Sequence, residues 1–237
     1  MPPSLSQTLA ELLNLTLSPA QLAAFDTYSA ELRDWNERVN LTAITDPHEI
    51  AIRHFADSLT CLRVLSLRAG LKVIDVGSGA GFPGLPLKIV YPALALTLVE
   101  ATGKKAAFLE HIVHTLKLDG VTVLNARAEV AGQMPDQRER YDWALARAVA
   151  GMGVLAEYLL PLARIGGRCL ALKGESAHQE AAEAGHAIRV LGGKLAQITA
   201  VELPGVAETH YLVEIEKVSA TPPQYPRRAG LPSKKPL

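Results

Sequence analysis

A glycine-rich turn follows a short acidic strand in the first half of the chain. Residues 73–84 read VIDVGSGAGFPG, so a buried strand runs into four glycines, and residues 85–90 then predict a helix. Glycine has no Cβ and tolerates positive φ, so the backbone amides of such a turn can approach a ligand closely. The turn is therefore the first candidate for a binding site.

A carboxylate stands at a matching position after the next strand. Glu100 lies 23 residues after Gly77, at the end of a second apolar run, residues 94–99. A carboxylate at this place in an α/β unit can accept hydrogen bonds from both hydroxyls of a ribose. Together with the glycine turn, it predicts a cofactor that contains adenosine.

The residues around the turn help to choose between cofactors. The spacing Gly79-x-Gly81-x-x-Gly84 matches the dinucleotide fingerprint, which is weak evidence when it stands alone. Asp75, two residues before the first glycine, would repel a diphosphate but suits an ammonium group such as the methionine amine of S-adenosyl-L-methionine. We therefore predict S-adenosyl-L-methionine, with NAD and a turn that binds nothing as the alternatives.

The first 70 residues predict helices only. Ser18-Pro19 is a helix start, and apolar residues recur at helical spacing over residues 19–39. Asp46-Pro47 repeats this signal, with Glu49 placed to complete a capping box. We predict three parts: an N-terminal helical extension (1–70), a methyltransferase domain (71–218) and a flexible tail (219–237).

Strands and helices alternate from Lys72 onward, which predicts a parallel α/β sheet. The predicted strands are 72–76, 94–99, 121–125, 142–146, 168–172, 195–202 and 209–217. Only Pro204-Gly205 separates the last two, so they should form an antiparallel hairpin at the edge of the sheet. A Rossmann-like, seven-stranded sheet of this kind is the fold of class I S-adenosylmethionine-dependent methyltransferases.

Composition and charge point to a cytoplasmic protein without a membrane segment or signal peptide. No apolar stretch approaches 18 residues without a charge, and the two cysteines are far apart. His111 and His114 share a helix face but lack a third ligand, so no metal is expected. The net charge is zero, yet residues 219–237 carry four basic side chains, no acid and five prolines, which predicts a tail that is either simply solvated or in contact with RNA.

Several segments resemble the bacterial small-subunit ribosomal RNA guanine-N7 methyltransferases (RsmG, also called glucose-inhibited division protein B). The glycine turn alone would indicate only the superfamily. The matching segments are Trp35-Asn36, Asn40-Leu41-Thr42, Arg53-His54, Asp57-Ser58, Asp75 to Pro86, Gly103-Lys104, Arg147 and Ala171-Leu172-Lys173-Gly174. The resemblance implies methylation of guanine N7 in 16S ribosomal RNA, as bare RNA or in the small ribosomal subunit, by a monomer.

The resemblance also implies which residues form the site. The cofactor pocket would contain Gly77, Phe82, Glu100, Ala101, Thr102, Ala128, Glu129 and Arg147, next to Asp75 and Gly79 of the turn. Four of these positions directly follow the first four predicted strands, where open parallel sheets bind ligands. Glu129 could equally be a solvated carboxylate, and Arg147 could belong to a structural ion pair. Arg147 and Lys173 end adjacent strands and are predicted to position the guanine.

The residues after the fourth strand bear on the reaction. They read Ala146-Arg147-Ala148-Val149, and the absence of an Asn/Asp-Pro-Pro-Tyr/Phe motif there disfavours methylation of the exocyclic amines of adenine or cytosine. Cys169 lies within a strand, which disfavours a cysteine nucleophile. Guanine N7 has a free lone pair and no proton to remove, so we predict direct in-line transfer by positioning alone, without a general base. A small-molecule methyltransferase and a non-enzymatic RNA-binding factor are the alternatives.

Overall fold

The computed structural model describes residues 4–237, and a mixed sheet forms its centre. The strands are β1 Lys72–Val76, β2 Ala95–Val99, β3 Val121–Leu124, β4 Tyr141–Arg147, β5 Ala163–Lys173, β6 Gly193–Val201 and β7 His210–Lys217. Their order is β3-β2-β1-β4-β5-β7-β6; β7 pairs antiparallel with β5 and β6, and the other neighbouring strands are parallel. The predicted fold class, including the C-terminal hairpin, is confirmed.

Helices cover both faces of the sheet. They are α1 Leu5–Leu13, α2 Pro19–Val39, a continuous helical segment α3 (Pro47–Glu49, Ile50–Ala56, Asp57–Leu59 and Thr60–Arg63), α4 Gly84–Val90, α5 Gly103–Thr115, α6 Ala128–Ala131, α7 Met152–Leu159, α8 Ala177–Glu183, α9 Gly185–Val190 and α10 Leu231–Lys234. The part of α3 over Ile50–Ala56 is a π-helix, a form that is often found at functional sites. Among the helices of residues 4–237, none combines the length and apolar character needed to cross a membrane.

The N-terminal helices share a hydrophobic core with one face of the sheet. Ser18 caps α2 with the predicted capping box, and this helix buries Phe25 and Tyr28. Both rings contact Phe55 of α3, and Tyr28 also stacks on Phe82 of the glycine turn at 5.5 Å between centroids. The extension therefore packs directly against the segment that the sequence predicts to bind the cofactor.

The C-terminal segment differs from the expectation of a flexible tail. Arg227 forms an ion pair with Glu157 of α7, whose side chain is fully buried, at 2.6 Å between Nη2 and Oε2. Arg138 donates hydrogen bonds to the carbonyls of Tyr225 (2.7 Å) and Thr221 (2.8 Å). Charge and prolines suggest disorder when the segment is considered alone. Its basic and carbonyl groups, however, find partners far away in the chain, and proline has no N–H group that would need one.

Candidate active site

The glycine turn is fixed to the end of β2 by its backbone. The amides of Gly77 and Ser78 both donate to the carbonyl of Val99, at 2.8 and 3.1 Å. Gly77 has a φ of +71°, and a Cβ placed on it would lie 2.6 Å from Cγ2 of Val149. Both facts require glycine at this position, as the sequence pattern predicts.

Glu100 is held by backbone amides on both carboxylate oxygens. Oε2 accepts a hydrogen bond from Gly79 N at 2.9 Å, and Oε1 accepts one from Thr102 N at 2.7 Å. A carboxylate has about four lone-pair positions, so these bonds orient the group and leave it able to accept two more donors. The arrangement suits the two hydroxyls of a ribose.

A cavity of about 170 Å³ lies at the carboxyl ends of β1, β2 and β3. We call it the first cavity. Its lining includes Val76, Gly77, Val99, Glu100, Ala101, Ala126, Arg127, Ala128, Glu129, Val149 and Tyr158. The structure therefore brings together five of the predicted cofactor residues: Gly77, Glu100, Ala101, Ala128 and Glu129.

Glu129 is neither solvated nor free. Its side chain is buried, and Oε1 accepts a hydrogen bond from Gly230 N of the C-terminal segment at 2.7 Å. The hydroxyl of Tyr158, a second residue of the first cavity, shares a hydrogen bond with Ser233 Oγ at 3.0 Å. The C-terminal segment thus supports two residues of the cavity wall, so the alternative of a solvated Glu129 is wrong.

Asp75 lies deeper than the sequence suggests. Its side chain is fully buried, and Oδ2 accepts a hydrogen bond from Gly84 N, the first residue of α4, at 2.9 Å. Oδ1 has no hydrogen-bond partner in residues 4–237, and burial raises the pKa of this carboxyl to about 7. The predicted direct contact with a cofactor ammonium does not fit this geometry. Asp75 instead fixes the start of α4.

Phe82 lies beside charged groups, outside the first cavity. Its ring stacks on His54 at 4.6 Å, and the guanidinium carbon of Arg147 is 4.9 Å from the ring centroid. Phe82 therefore supports Arg147, a role that the glycine-turn pattern alone does not predict.

Arg147 forms the centre of a network of ionisable side chains. Nη1 contacts Asp57 Oδ2 at 2.8 Å, and Nη2 lies 3.0 Å from His54 Nδ1. The other oxygen of Asp57 binds His210 Nδ1 at 2.8 Å. His54 therefore contacts Arg147 and, through Nε2, Thr42 Oγ1 at 2.8 Å.

The network shifts the pKa values of its members in different directions. Burial, together with the positive charge of Arg147, lowers the pKa of His54 to about 4. The hydrogen bond to Asp57 raises the pKa of His210, despite its partial burial. For Asp57, burial opposes ionisation, but the hydrogen bond from His210 and the charge of Arg147 outweigh it and lower the pKa.

A second cavity of about 380 Å³ opens beside this network. Its lining includes Ile44, Arg53, His54, Asp57, Arg147, Ala148, Leu172, Lys173, Gly174, Ser176, Glu180 and His210. Lys173 Nζ contacts Glu180 Oε2 at 2.7 Å and donates to the carbonyl of Ala150 at 3.0 Å. The second cavity thus brings Arg147 and Lys173 together, as their places at the ends of β4 and β5 predict.

Sequence reasoning missed His210 and Glu180. The predicted hairpin contained a signal for His210, because an antiparallel β7 must begin where β5 ends, and Lys173 is indeed paired with Tyr211. Nothing in the sequence alone marks Glu180 among the carboxylates of its helix. No cluster of three or more potential metal ligands occurs within residues 4–237.

Residues 21–210 match the family described as GidB, rRNA small subunit methyltransferase G. The chain belongs to this family. The ribosomal RNA small subunit methyltransferase G of Roseiflexus castenholzii is 55% identical over 226 residues, which cover 94% of each chain. The protein of the same name from Lactobacillus delbrueckii subsp. bulgaricus is 48% identical over 238 residues, which cover 100% of this chain and 99% of the relative. The chain is therefore a methyltransferase, and the predicted resemblance is confirmed.

Solved structures show the same fold at low sequence identity. YcgJ from Bacillus subtilis superposes with a TM-score of 0.55 at 12% identity, covering 70% of this chain and all of that one. TYW2 from Pyrococcus horikoshii, solved in complex with MeSAdo, gives a TM-score of 0.54 at 16% identity and covers 68% and 61% of the two chains. At such identities the likeness supports the fold alone.

Proposed function

We propose that the chain uses S-adenosyl-L-methionine to methylate N7 of a guanine in small-subunit (16S) ribosomal RNA. The observation that carries the proposal is the wall between the two cavities. Arg147 and Ala148 line the second cavity, and the next residue, Val149, lines the first. A methyl donor and a methyl acceptor held on the two sides of this short segment would be close neighbours.

The residues of the first cavity fit an adenosine-containing cofactor. The lone pairs left on Glu100 can accept the ribose hydroxyls, and the backbone at Ala128 and Glu129 can border the base. Gly77 lines the cavity without a side chain, and Gly79 and Thr102 hold Glu100 in place. When bound, S-adenosylmethionine supplies an electrophilic methyl group on a sulfonium.

The second cavity fits a base that has been turned out of RNA. Its cations can contact the oxygen of a guanine or nearby phosphates, and enzymes that modify bases commonly bind them extruded from the stack. A guanidinium has donors and no acceptor, and that of Arg147 is already paired with Asp57, so Arg147 positions the substrate and does not remove a proton. Because N7 carries no proton, alignment is the main task of these side chains.

The relatives support the choice of substrate. Proteins named for methylation of small-subunit ribosomal RNA share about half of their residues with this chain over nearly its whole length. We infer a cytoplasmic enzyme that acts as a monomer on 16S RNA or on the small subunit, without a metal.

Mass spectrometry of small-subunit RNA from cells with and without the gene tests the proposal. We expect one 7-methylguanosine to disappear on deletion and to return when the purified protein and S-adenosylmethionine are added. The single-turnover rate should be flat around neutral pH. Unchanged RNA, together with methyl transfer to a metabolite, would support a small-molecule methyltransferase; absence of cofactor binding in calorimetry would support a non-enzymatic factor.

A further inference from the structure

Glu180 is a carboxylate of the second cavity that is held from three sides. Oε2 contacts Lys173 Nζ at 2.7 Å and accepts from Met152 N at 3.0 Å, and Oε1 accepts from Ser176 Oγ at 2.6 Å. Its side chain keeps 23% exposure, whereas the second carboxylate of the cavity, Asp57, keeps 6%. Partial burial opposes ionisation of Glu180, but the hydrogen bonds from Lys173 and Ser176 and the charge of Lys173 outweigh it and lower the pKa of the carboxyl.

The two carboxylates differ in what they can still bind. Arg147 and His210 occupy the two oxygens of Asp57, and both contacts are largely buried. Each oxygen of Glu180 keeps a lone pair once Lys173 moves its ammonium to another acceptor. Glu180 is therefore the carboxylate of this cavity that can accept hydrogen bonds from a ligand.

The Watson–Crick edge of guanine has a distinct pattern of polar groups. It presents two adjacent donors, N1–H and the N2 amino group, beside one acceptor, O6. A carboxylate next to an ammonium offers the complement, two acceptors beside a donor. The corresponding edge of adenine places a donor amine opposite the ammonium, so the same pair would reject it. N7 lies on the other edge of guanine and is left free.

We propose that Glu180 and Lys173 select guanine, with Glu180 accepting from N1–H and the N2 amino group and Lys173 donating to O6. This assignment rests on the proposed function and adds the residues that determine its base specificity. Arg147 then faces the remaining part of the nucleotide or the cofactor, and the second cavity holds the base by its Watson–Crick edge.

Inosine isolates the contact to the amino group, because it keeps N1–H, O6 and N7 and lacks only that group. Once the target nucleotide is mapped, 16S RNA ligated with inosine at that position is compared with the guanine form. We expect wild type to prefer guanine by about 10- to 100-fold in kcat/KM, the size of a hydrogen bond to a charged group. Glu180→Gln should lose most of this preference, and Glu180→Asp should recover part of it.

A carboxylate with a purely structural role would give a different result. If Glu180 only holds Lys173 and the start of α7, Glu180→Gln slows both RNAs by the same factor, and the proposal is overturned. Equal methylation of both RNAs by wild type overturns it as well. Glu183→Gln, an exposed carboxylate on the same helix, is the matched control and should keep the preference. Absence of methyl transfer from wild type to guanine RNA would instead refute the proposed function itself.

Discussion

The two cavities are built from different parts of the polypeptide. The first is lined mainly by backbone and small side chains, and its carboxylate Glu100 is held by amides within two residues or in the adjacent turn. The second depends on charged side chains from distant segments, with 90 residues between Asp57 and Arg147 and 153 between Asp57 and His210. Substitutions should therefore act by steric exclusion in the first cavity and by uncompensated charge in the second.

The largest effect should come from Gly77→Arg in the first cavity. A side chain there meets Val149 and must adopt a φ of +71°, so we expect S-adenosylmethionine binding to disappear in calorimetry. Gly205→Arg is a matched control, since Gly205 has a φ of +75° and no atom within 4 Å of an added Cβ. If both variants lose cofactor binding, backbone strain and not a blocked cavity explains the loss.

Asp57→Asn should have the largest effect on stability from the second cavity. The substitution leaves the largely buried Arg147 without its counter-charge. Removal of one partner of a buried ion pair lowers the free energy of unfolding by about 3–5 kcal/mol. Urea unfolding would measure this loss. Asp34→Asn breaks an exposed pair with Arg38 and should change the unfolding free energy little. Similar losses in both variants would contradict the buried network.

Lowering the pH should reduce the free energy of unfolding because of His54. Its pKa is about 4 when folded and about 6.5 when unfolded, so the unfolded chain binds an extra proton between these values. The contribution of His54 is complete above pH 6.5 and falls by up to about 3 kcal/mol toward pH 4. Asp75 has the opposite effect on the pH dependence of stability. Its pKa is raised in the folded protein, so it stabilises the fold at acid pH, and this contribution is lost as the pH rises toward 7.

The His54 contribution is isolated by difference. Free energies of unfolding are measured for wild type and His54→Gln from pH 4 to 7.5. The difference between the two free energies should become smaller as the pH falls. His210 contributes with the reverse sign, since its pKa is raised; its stabilisation is complete below pH 6.5 and is lost above. A constant difference between the two unfolding free energies would mean that the pKa of His54 is the same in the folded and the unfolded protein, which would contradict the lowered pKa.

Truncation after Ala229 tests the support of the first cavity. It removes Gly230 N–H from Glu129 and Ser233 from Tyr158 but keeps the ion pair of Arg227 with Glu157. Loss of a hydrogen bond to a buried carboxylate should weaken cofactor affinity about 10-fold. The double substitution Lys234→Ala and Lys235→Ala keeps the backbone contacts and should leave the affinity unchanged. Full affinity of the truncated protein would show that the last residues do not shape the pocket.

Tyr28→Phe should have the smallest effect of this series. The Tyr28 hydroxyl donates to the carbonyl of Ala80 in the glycine turn at 2.5 Å, and its loss should cost about 1 kcal/mol of stability. A small loss of cofactor affinity should accompany it, because α2 then holds the turn through the stacking of the ring at position 28 on Phe82 without the hydrogen bond. Tyr91→Phe is the control, since Tyr91 follows α4 and is only partly buried. An effect on stability without any on affinity would separate the helical extension from cofactor binding.

The features that could be predicted from sequence are the local ones. Spacing and periodicity predict the glycine turn, Glu100 and the strands, because each of these features depends on residues that are close in the chain. The contacts of Asp57 with Arg147 and His210 depend on the three-dimensional arrangement of three segments, and no local pattern encodes them. The C-terminal segment could not be predicted for the same reason. The sequence gives no sign that Arg227 forms an ion pair, because its partner Glu157 lies in α7, far away in the chain.

The contact between Gly230 and Glu129 also has a consequence for biosynthesis. Gly230 is synthesised 101 residues after Glu129, yet it supplies a donor to the wall of the first cavity. A nascent chain whose sheet has already folded still lacks this support until Gly230 has left the exit tunnel. We therefore expect the affinity for the methyl donor to reach its full value only after the segment that follows the sheet has emerged and docked.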